Sequence, residues 1–186
     1  MGCKVRFFHI NYHYAIIIAL FTTIAIVATA GGPAVAVPPD GDPVPGGRVL
    51  ELRGSSVPAV GAMEIFIDPA GRLGIADVAA SGGRVSFAPV SGSIGVGYTA
   101  ATVWVRLTVR AVERADWWLS VSPPFVDDIT VFLPDDGGGW REQTGGDTHD
   151  LFATTIPFRV PIFPLVLAVG QDIPVYVRLR STSTVS

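Results

Sequence analysis

The run Val103 to Arg110, VWVRLTVR, limits what this chain can become more than any other stretch. Side chains in an extended strand alternate between two faces with period two. Here Val103, Val105, Leu107 and Val109 take one face, and Trp104, Arg106, Thr108 and Arg110 take the other. A helical period does not sort these residues, so the run reads as a half-buried strand. Val175 to Arg180 repeats the pattern, with Val175, Val177 and Leu179 against Tyr176, Arg178 and Arg180. Each strand presents an aromatic ring followed two residues later by a guanidinium. With both strands in one sheet, the polar face suits a sugar or a small carboxylate, through apolar stacking and forked hydrogen bonds. The same pairs also fit a purely structural role, because arginine laid on a ring and paired with an aspartate covers the solvent side of a sheet.

The rest of the chain from Arg48 onward follows suit. RVLELR, MEIFI, RVSF, SIGVG, WWLSV, ITVFL and RVPIFPLVL are further strand candidates. They are separated by Asp68-Pro69-Ala70-Gly71, Ser81-Gly82-Gly83, Ser122-Pro123-Pro124 and Asp135-Asp136-Gly137-Gly138-Gly139. Those clusters turn the chain, since Gly supplies positive φ, Pro fixes φ and Asp bonds its own backbone. Only GIADVAA, Gly74 to Ala80, has helical character. Short strands without crossover helices predict an all-β domain, an antiparallel sandwich or jelly roll. The counts Gly 21 and Pro 15, with only 16% charged residues, agree with many tight turns around an apolar core. Trp140, following the Gly-rich turn, is expected to fold back over a sheet edge.

The N-terminus reads differently. Lys4 and Arg6 precede an almost purely apolar run from Ala15 to Ala30, followed by small residues at Ala28-Thr29-Ala30 and Ala34-Val35-Ala36. A basic start, an apolar stretch and a small-residue cleavage site make a secretory signal peptide. A retained anchor helix is the alternative, because the run is only slightly shorter than the roughly 20 residues that span a bilayer. The expected organisation is a signal helix over 1–36, a flexible Pro/Gly-rich linker over 37–47 and an exported module over 48–186.

Charge and residue usage then exclude several functions. The formal net charge is −3 and becomes more negative once Lys4 and Arg6 are set aside, so the module lacks the basic field nucleic acid requires. Cys3 is the only cysteine and lies in the export segment. The module therefore has no disulfide, thiolate nucleophile or thiolate metal site. His149 is the one histidine outside that segment, too few for a transition-metal site, and no G-x-S-x-G elbow precedes it. No cofactor motif is present. Asp127, Asp128, Asp135, Asp136, Asp147 and Asp150 are open to a glycosidase pair or a Ca²⁺ site. Aspartates in Gly-rich turns are more simply explained by the turns themselves.

Taken in order, MEIFIDPAGRLGIADV, GYTAATVWVRLTVR, FVDDITVFLPDDGGGW, the Gly-Asp of TGGDTHDLF and FRVPIFPLVLAVGQDIPVYVRLRS resemble a known family. It is the second type of extracellular domain of bacterial seven-transmembrane receptors with diverse intracellular signalling modules, and the likeness covers about Met63 to Ser181. The resemblance implies a jelly-roll-like β-sandwich similar to carbohydrate-binding modules, on the periplasmic face of the inner membrane. It also implies a non-catalytic ligand sensor feeding seven membrane helices and a cytoplasmic output. The family's aromatic-x-Arg strands fall on Trp104 and Arg106, and on Tyr176 and Arg178. Its acidic residue falls on Asp127 or Asp128, its Gly-Asp turn on Gly146 and Asp147, and its Arg before the FPL run on Arg159. With Trp140, the candidate ligand residues are Trp104, Arg106, Asp128, Trp140, Asp147, Arg159, Tyr176 and Arg178.

The chain departs from the family at Leu151-Phe152-Ala153, at Thr155-Ile156 and at Phe158, where a His commonly stands; this implies a different ligand or a degenerate site. It also stops at Ser186 with no membrane helix following, as expected of a fragment, a truncated gene or a free-standing exported domain. The membrane link is then a missing C-terminal seven-helix region or a retained N-terminal helix. The alternative reading is a free-standing exported carbohydrate-binding module or a small exported hydrolase.

Overall fold

Strand β7, Thr102–Ala111, is the organising element, and its alternation is realised as the sequence predicts. The structure, a computed structural model, describes residues 21–29, 48–80, 85–90, 94–95, 100–122, 126–145 and 161–180. In chain order the elements before β7 are β1 (Phe21–Thr29), β2 (Val49–Leu52), β3 (Ser56–Pro58), β4 (Met63–Asp68), helix α1 (Ile75–Ala79), β5 (Ala88–Val90) and β6 (Ile94–Gly95). After it come β8 (Asp116–Ser122), β9 (Asp128–Pro134), β10 (Trp140–Gly145), β11 (Ile162–Leu165) and β12 (Asp172–Arg180).

These strands form two sheets. The larger runs β10-β9-β12-β7-β4-β5, with β2 joining β7 in parallel beyond the end of β4. The smaller runs β11-β8-β1-β3, with β6 on β1. Apart from the β2–β7 pair, the strand ladders are antiparallel. An all-β, antiparallel sandwich is therefore the observed fold class.

Val103, Val105, Leu107 and Val109 meet Ile129, Val131, Leu133, Val175, Val177 and Leu179 in one core with Trp117, Leu119 and Val121 of β8. Each such side chain fully removed from water contributes about 1.5–3 kcal/mol, which is why the inward set is uninterrupted by polar residues. Across the far side, Gln143 Nε2 on β10 donates to the Pro164 carbonyl on β11 at 2.9 Å and ties the two sheets together.

Three local outcomes differ from expectation. The expected strand RVSF is displaced, because β5 is Ala88–Val90 and Phe87 turns its ring onto the larger sheet. Pro89 fits there because β5 is an edge, where a missing N–H costs nothing. Trp140 opens an additional edge strand, β10, paired with β9 across the turn. Thirdly, where a signal helix is expected, Phe21–Thr29 is a strand between β8 and β3, with Ile26 opposite Leu119 on one side and Val57 on the other. Thr22, Thr23, Ile24, Ile26, Val27 and Thr29 are β-branched, and stiff χ1 angles favour the extended form when a partner edge is available. Cleavage after Ala30 or Ala36 would remove this strand from the smaller sheet.

The turn joining β9 to β10 shows what its aspartate does. Asp135 Oδ1 accepts from the N–H of Gly137 at 2.9 Å and of Gly139 at 2.7 Å, while Gly138 sits at φ +77°. Asp135 therefore serves the turn, as the simpler reading of the turn aspartates requires.

Candidate ligand-binding face

The outer face of the larger sheet is built in rows by strand register. One row runs Phe66, Trp104, Arg178, Thr130 and Thr144 across β4, β7, β12, β9 and β10. The next runs Glu64, Arg106, Tyr176, Phe132 and Glu142 over the same strands. Beyond them Arg180 opposes Asp128, which places Asp128 at the end of the same face. Trp140 lies at the β10 edge, and its ring meets that of Tyr176 edge-on, centroids 5.2 Å apart. The structure therefore brings Trp104, Arg106, Asp128, Trp140, Tyr176 and Arg178 onto one face. Asp147, Arg159 and the family departures at 151–158 lie outside the described residues.

The face is not the open aromatic platform that alternation alone suggests. Trp104 is fully buried and Tyr176 nearly so. With Phe132 and Val78 they form a second apolar cluster, covered by Leu73, Ile75 and Ala79 from the segment around α1, and flanked by Phe66, Phe87 and Trp140. Trp104 stacks on Phe132 with centroids 5.6 Å apart, and Phe87 meets Tyr176 edge-on at 6.1 Å. The strap that carries α1 is anchored by Asp68, whose carboxylate accepts from the N–H groups of Ala70 and Leu73 at 3.1 and 2.9 Å. It is pinned to the sheet where Arg180 Nη2 donates to the Gly71 carbonyl at 3.2 Å. Asp77 caps the helix by accepting from the Gly74 N–H at 3.0 Å. GIADVAA is thus the one helical segment among the described residues, and its apolar side is what buries Trp104.

The guanidiniums on this face are treated differently. Arg106 donates from Nε and Nη2 to one oxygen of Glu64 at 2.9 and 2.8 Å, and its carbon lies 4.3 Å from the Phe87 ring centroid. Both side chains are almost buried, so the pair is a desolvated one. Arg178 donates from Nη2 to Thr130 Oγ1 at 2.9 Å and lies 5.6 Å from the Phe132 centroid. Burial pushes the Tyr176 phenol above its ordinary value, while neighbouring Arg106 pulls it the other way, so the hydroxyl stays protonated and available as a donor. At the far end of β7, Arg110 forks onto Asp172 at 2.6 and 2.7 Å, and that carboxylate raises the guanidinium further.

Glu64, Phe66, Thr130 and Phe132 were legible by the same rule that found Trp104. Strand parity sets Phe66 on the side of Glu64 in MEIFID and Phe132 on the side of Thr130 in DITVFLP, although neither run alternates strictly in polarity. Phe87 and the strap residues reach the face from a loop and one short helix, so no local pattern shows that they cover it.

A two-sheet antiparallel sandwich with a strapped aromatic and guanidinium face defines a β-sandwich domain, with its polar chemistry gathered on one sheet. The family model described as 7TMR-DISM extracellular 2 matches residues 60–186, and the chain belongs to that family. It is an extracellular sensory domain of the receptor type, and so lies on the outer side of a membrane. No curated protein and no solved structure gives a match. Among the described residues no helix is long and apolar enough to cross a membrane.

Proposed function

We propose that this chain is the periplasmic ligand-sensing part of a bacterial inner-membrane signalling receptor, with a sugar as its ligand class and no catalytic step of its own. The observation that carries this reading is the register. Strands far apart in sequence deliver Trp104, Arg106, Tyr176, Arg178 and the rim residue Trp140 to one outer face. An aromatic rim beside fixed donor forks matches a sugar ring, which offers an apolar C–H side and a circumference of hydroxyls. Trp140 is half-buried at the sheet edge, so part of its ring remains available for stacking.

Signalling by such a domain requires only differential binding. A sugar shifts the receptor by preferring one of its states, and the strap over Trp104 is the element whose position ligand contact would bias. The link to the membrane would be a C-terminal region of seven helices, as in receptors of this family.

The test is a panel of neutral and acidic sugars offered to the purified chain, read by thermal shift and calorimetry. Trp140→Ala is expected to weaken binding by roughly tenfold, the worth of one stacking contact, while leaving far-UV circular dichroism unchanged. Binding that is indifferent to Trp140→Ala and to Arg178→Ala would remove the outer face as the site.

A further inference from the structure

Two neighbouring residues on the outer face each bury a donor that has no hydrogen-bond partner. Trp104 Nε1 and Arg178 Nε are both shielded from solvent and both lack a hydrogen-bond partner. Trp104 and Arg178 are register partners on β7 and β12, so their side chains leave the sheet next to each other on the same side. Buried N–H groups are almost always satisfied, and two orphans in adjacent positions mark a place built for an acceptor.

The neighbouring arginines show which acceptor is missing. Arg106 is neutralised by Glu64, and Arg180 spends Nε on Thr102 Oγ1 and Nη2 on the Gly71 carbonyl, each at 3.2 Å. Arg178 has the Thr130 hydroxyl and the Phe132 ring, and among the described residues no carboxylate pairs with it. A hydroxyl can occupy one orphaned donor, but it brings no charge opposite to that of the guanidinium. A carboxylate supplies two oxygens and the opposite charge, which makes its bonds to a guanidinium short and strong.

We propose that Trp104 and Arg178 together form the recognition point for the carboxylate of an acidic ligand, one oxygen accepting from the indole N–H and the other from the guanidinium. The ligand approaches from the side of Arg178, whose side chain keeps part of its surface exposed. This deepens the sugar-sensing reading, on which it rests, by naming the group that the face selects: the ligand class is a uronate-type sugar acid.

The experiment compares glucose with glucuronate, and galactose with galacturonate, on the purified chain by calorimetry, with succinate as an acid lacking a sugar ring. Each sugar pair differs only at C6, a hydroxymethyl carbon in one and a carboxylate carbon in the other. The acid of each pair is expected to bind at least about tenfold more tightly, as one charge-assisted fork implies. Arg178→Gln is expected to abolish that preference, so that the acid and the neutral sugar of each pair bind alike. Trp104→Phe, which keeps a stacked ring but removes the N–H together with part of the buried indole, is expected to lower the melting temperature and, where the variant is still folded, to reduce the preference severalfold. Equal binding of acid and neutral sugar, or a preference that survives Arg178→Gln, overturns the carboxylate site and leaves the sugar-sensing face standing. Succinate binding as tightly as glucuronate supports the carboxylate site but overturns the sugar class. Absence of binding by all five probes overturns both.

Discussion

Arg106 and Glu64 sit opposite each other on β7 and β4 and form a nearly buried ion pair in which two N–H groups converge on a single carboxylate oxygen, at 2.9 and 2.8 Å. Two consequences follow from its burial. Removing one partner strands the other charge away from water, whereas removing both costs far less.

Glu64→Leu is therefore expected to destabilise the fold by about 3–5 kcal/mol in urea titration. The double variant Glu64→Leu, Arg106→Met is expected to recover most of that loss, since apolar residues of similar volume fill the same space. A double variant no more stable than Glu64→Leu alone would show that packing at Arg106, not its charge, sets the cost.

Phe132 is packed on Trp104 beneath the strap and is almost wholly buried. Phe132→Ala is expected to cost about 3–5 kcal/mol, because the sheet backbone cannot collapse into the space left. Chemical denaturation followed by tryptophan emission reads both the stability and the altered surroundings of Trp104.

Tyr176 sets a pH dependence at the alkaline end. Burial raises its phenol above the ordinary 10.0, so the folded state holds the proton more tightly than the unfolded chain does. Its contribution to stability is complete below the unfolded value and is lost as pH rises through the folded one. Stability measured from pH 9 upward is thus expected to fall as the unfolded phenol ionises near its usual value of about 10. Tyr176→Phe should flatten that part of the curve.

The turn between β9 and β10 depends on Asp135 and on positive φ at Gly138. Asp135→Ala removes the acceptor for two backbone N–H groups and is expected to cost about 1–2 kcal/mol. Gly138→Ala places a Cβ in open space but at φ +77°, so its cost of about 1–2 kcal/mol is conformational and not steric. Urea midpoints of the two variants check both figures.

Strand β1 pairs with β8 from Thr23–Ser122 to Thr29–Asp116 and with β3 on its other side. A chain beginning at residue 31 uncovers the β8 edge, which is a template for pairing with another chain. It is expected to unfold at lower urea than a chain beginning at residue 21 and to associate with rising concentration in size-exclusion chromatography. Equal stability and a monomer at all concentrations would show that β8 does not need β1.

Where alternation was strict, the sequence alone was sufficient. VWVRLTVR and PVYVRLR sort their apolar and polar residues so cleanly that strand character, facing and the spacing of aromatic from guanidinium all follow from period two. The same rule, applied to MEIFID and DITVFLP, reaches Glu64, Phe66, Thr130 and Phe132 as well. The helical turn at GIADVAA and the aspartate turn before Trp140 were also legible, because each is fixed by residues within a few positions of one another.

What local pattern could not carry was decided by tertiary contacts. Alternation says that Trp104 and Tyr176 leave the sheet on its polar side, but not that a strap from residues 71–79 returns to bury them. It does not say that Glu64 neutralises Arg106 while Arg178 keeps an orphaned Nε. Nor does it say that an apolar, β-branched run suited to a membrane helix takes a strand position between β8 and β3. Each of these depends on a partner distant in the chain. Facing is a property of one strand's own geometry, whereas burial, charge compensation and pairing are properties of what the fold sets against it.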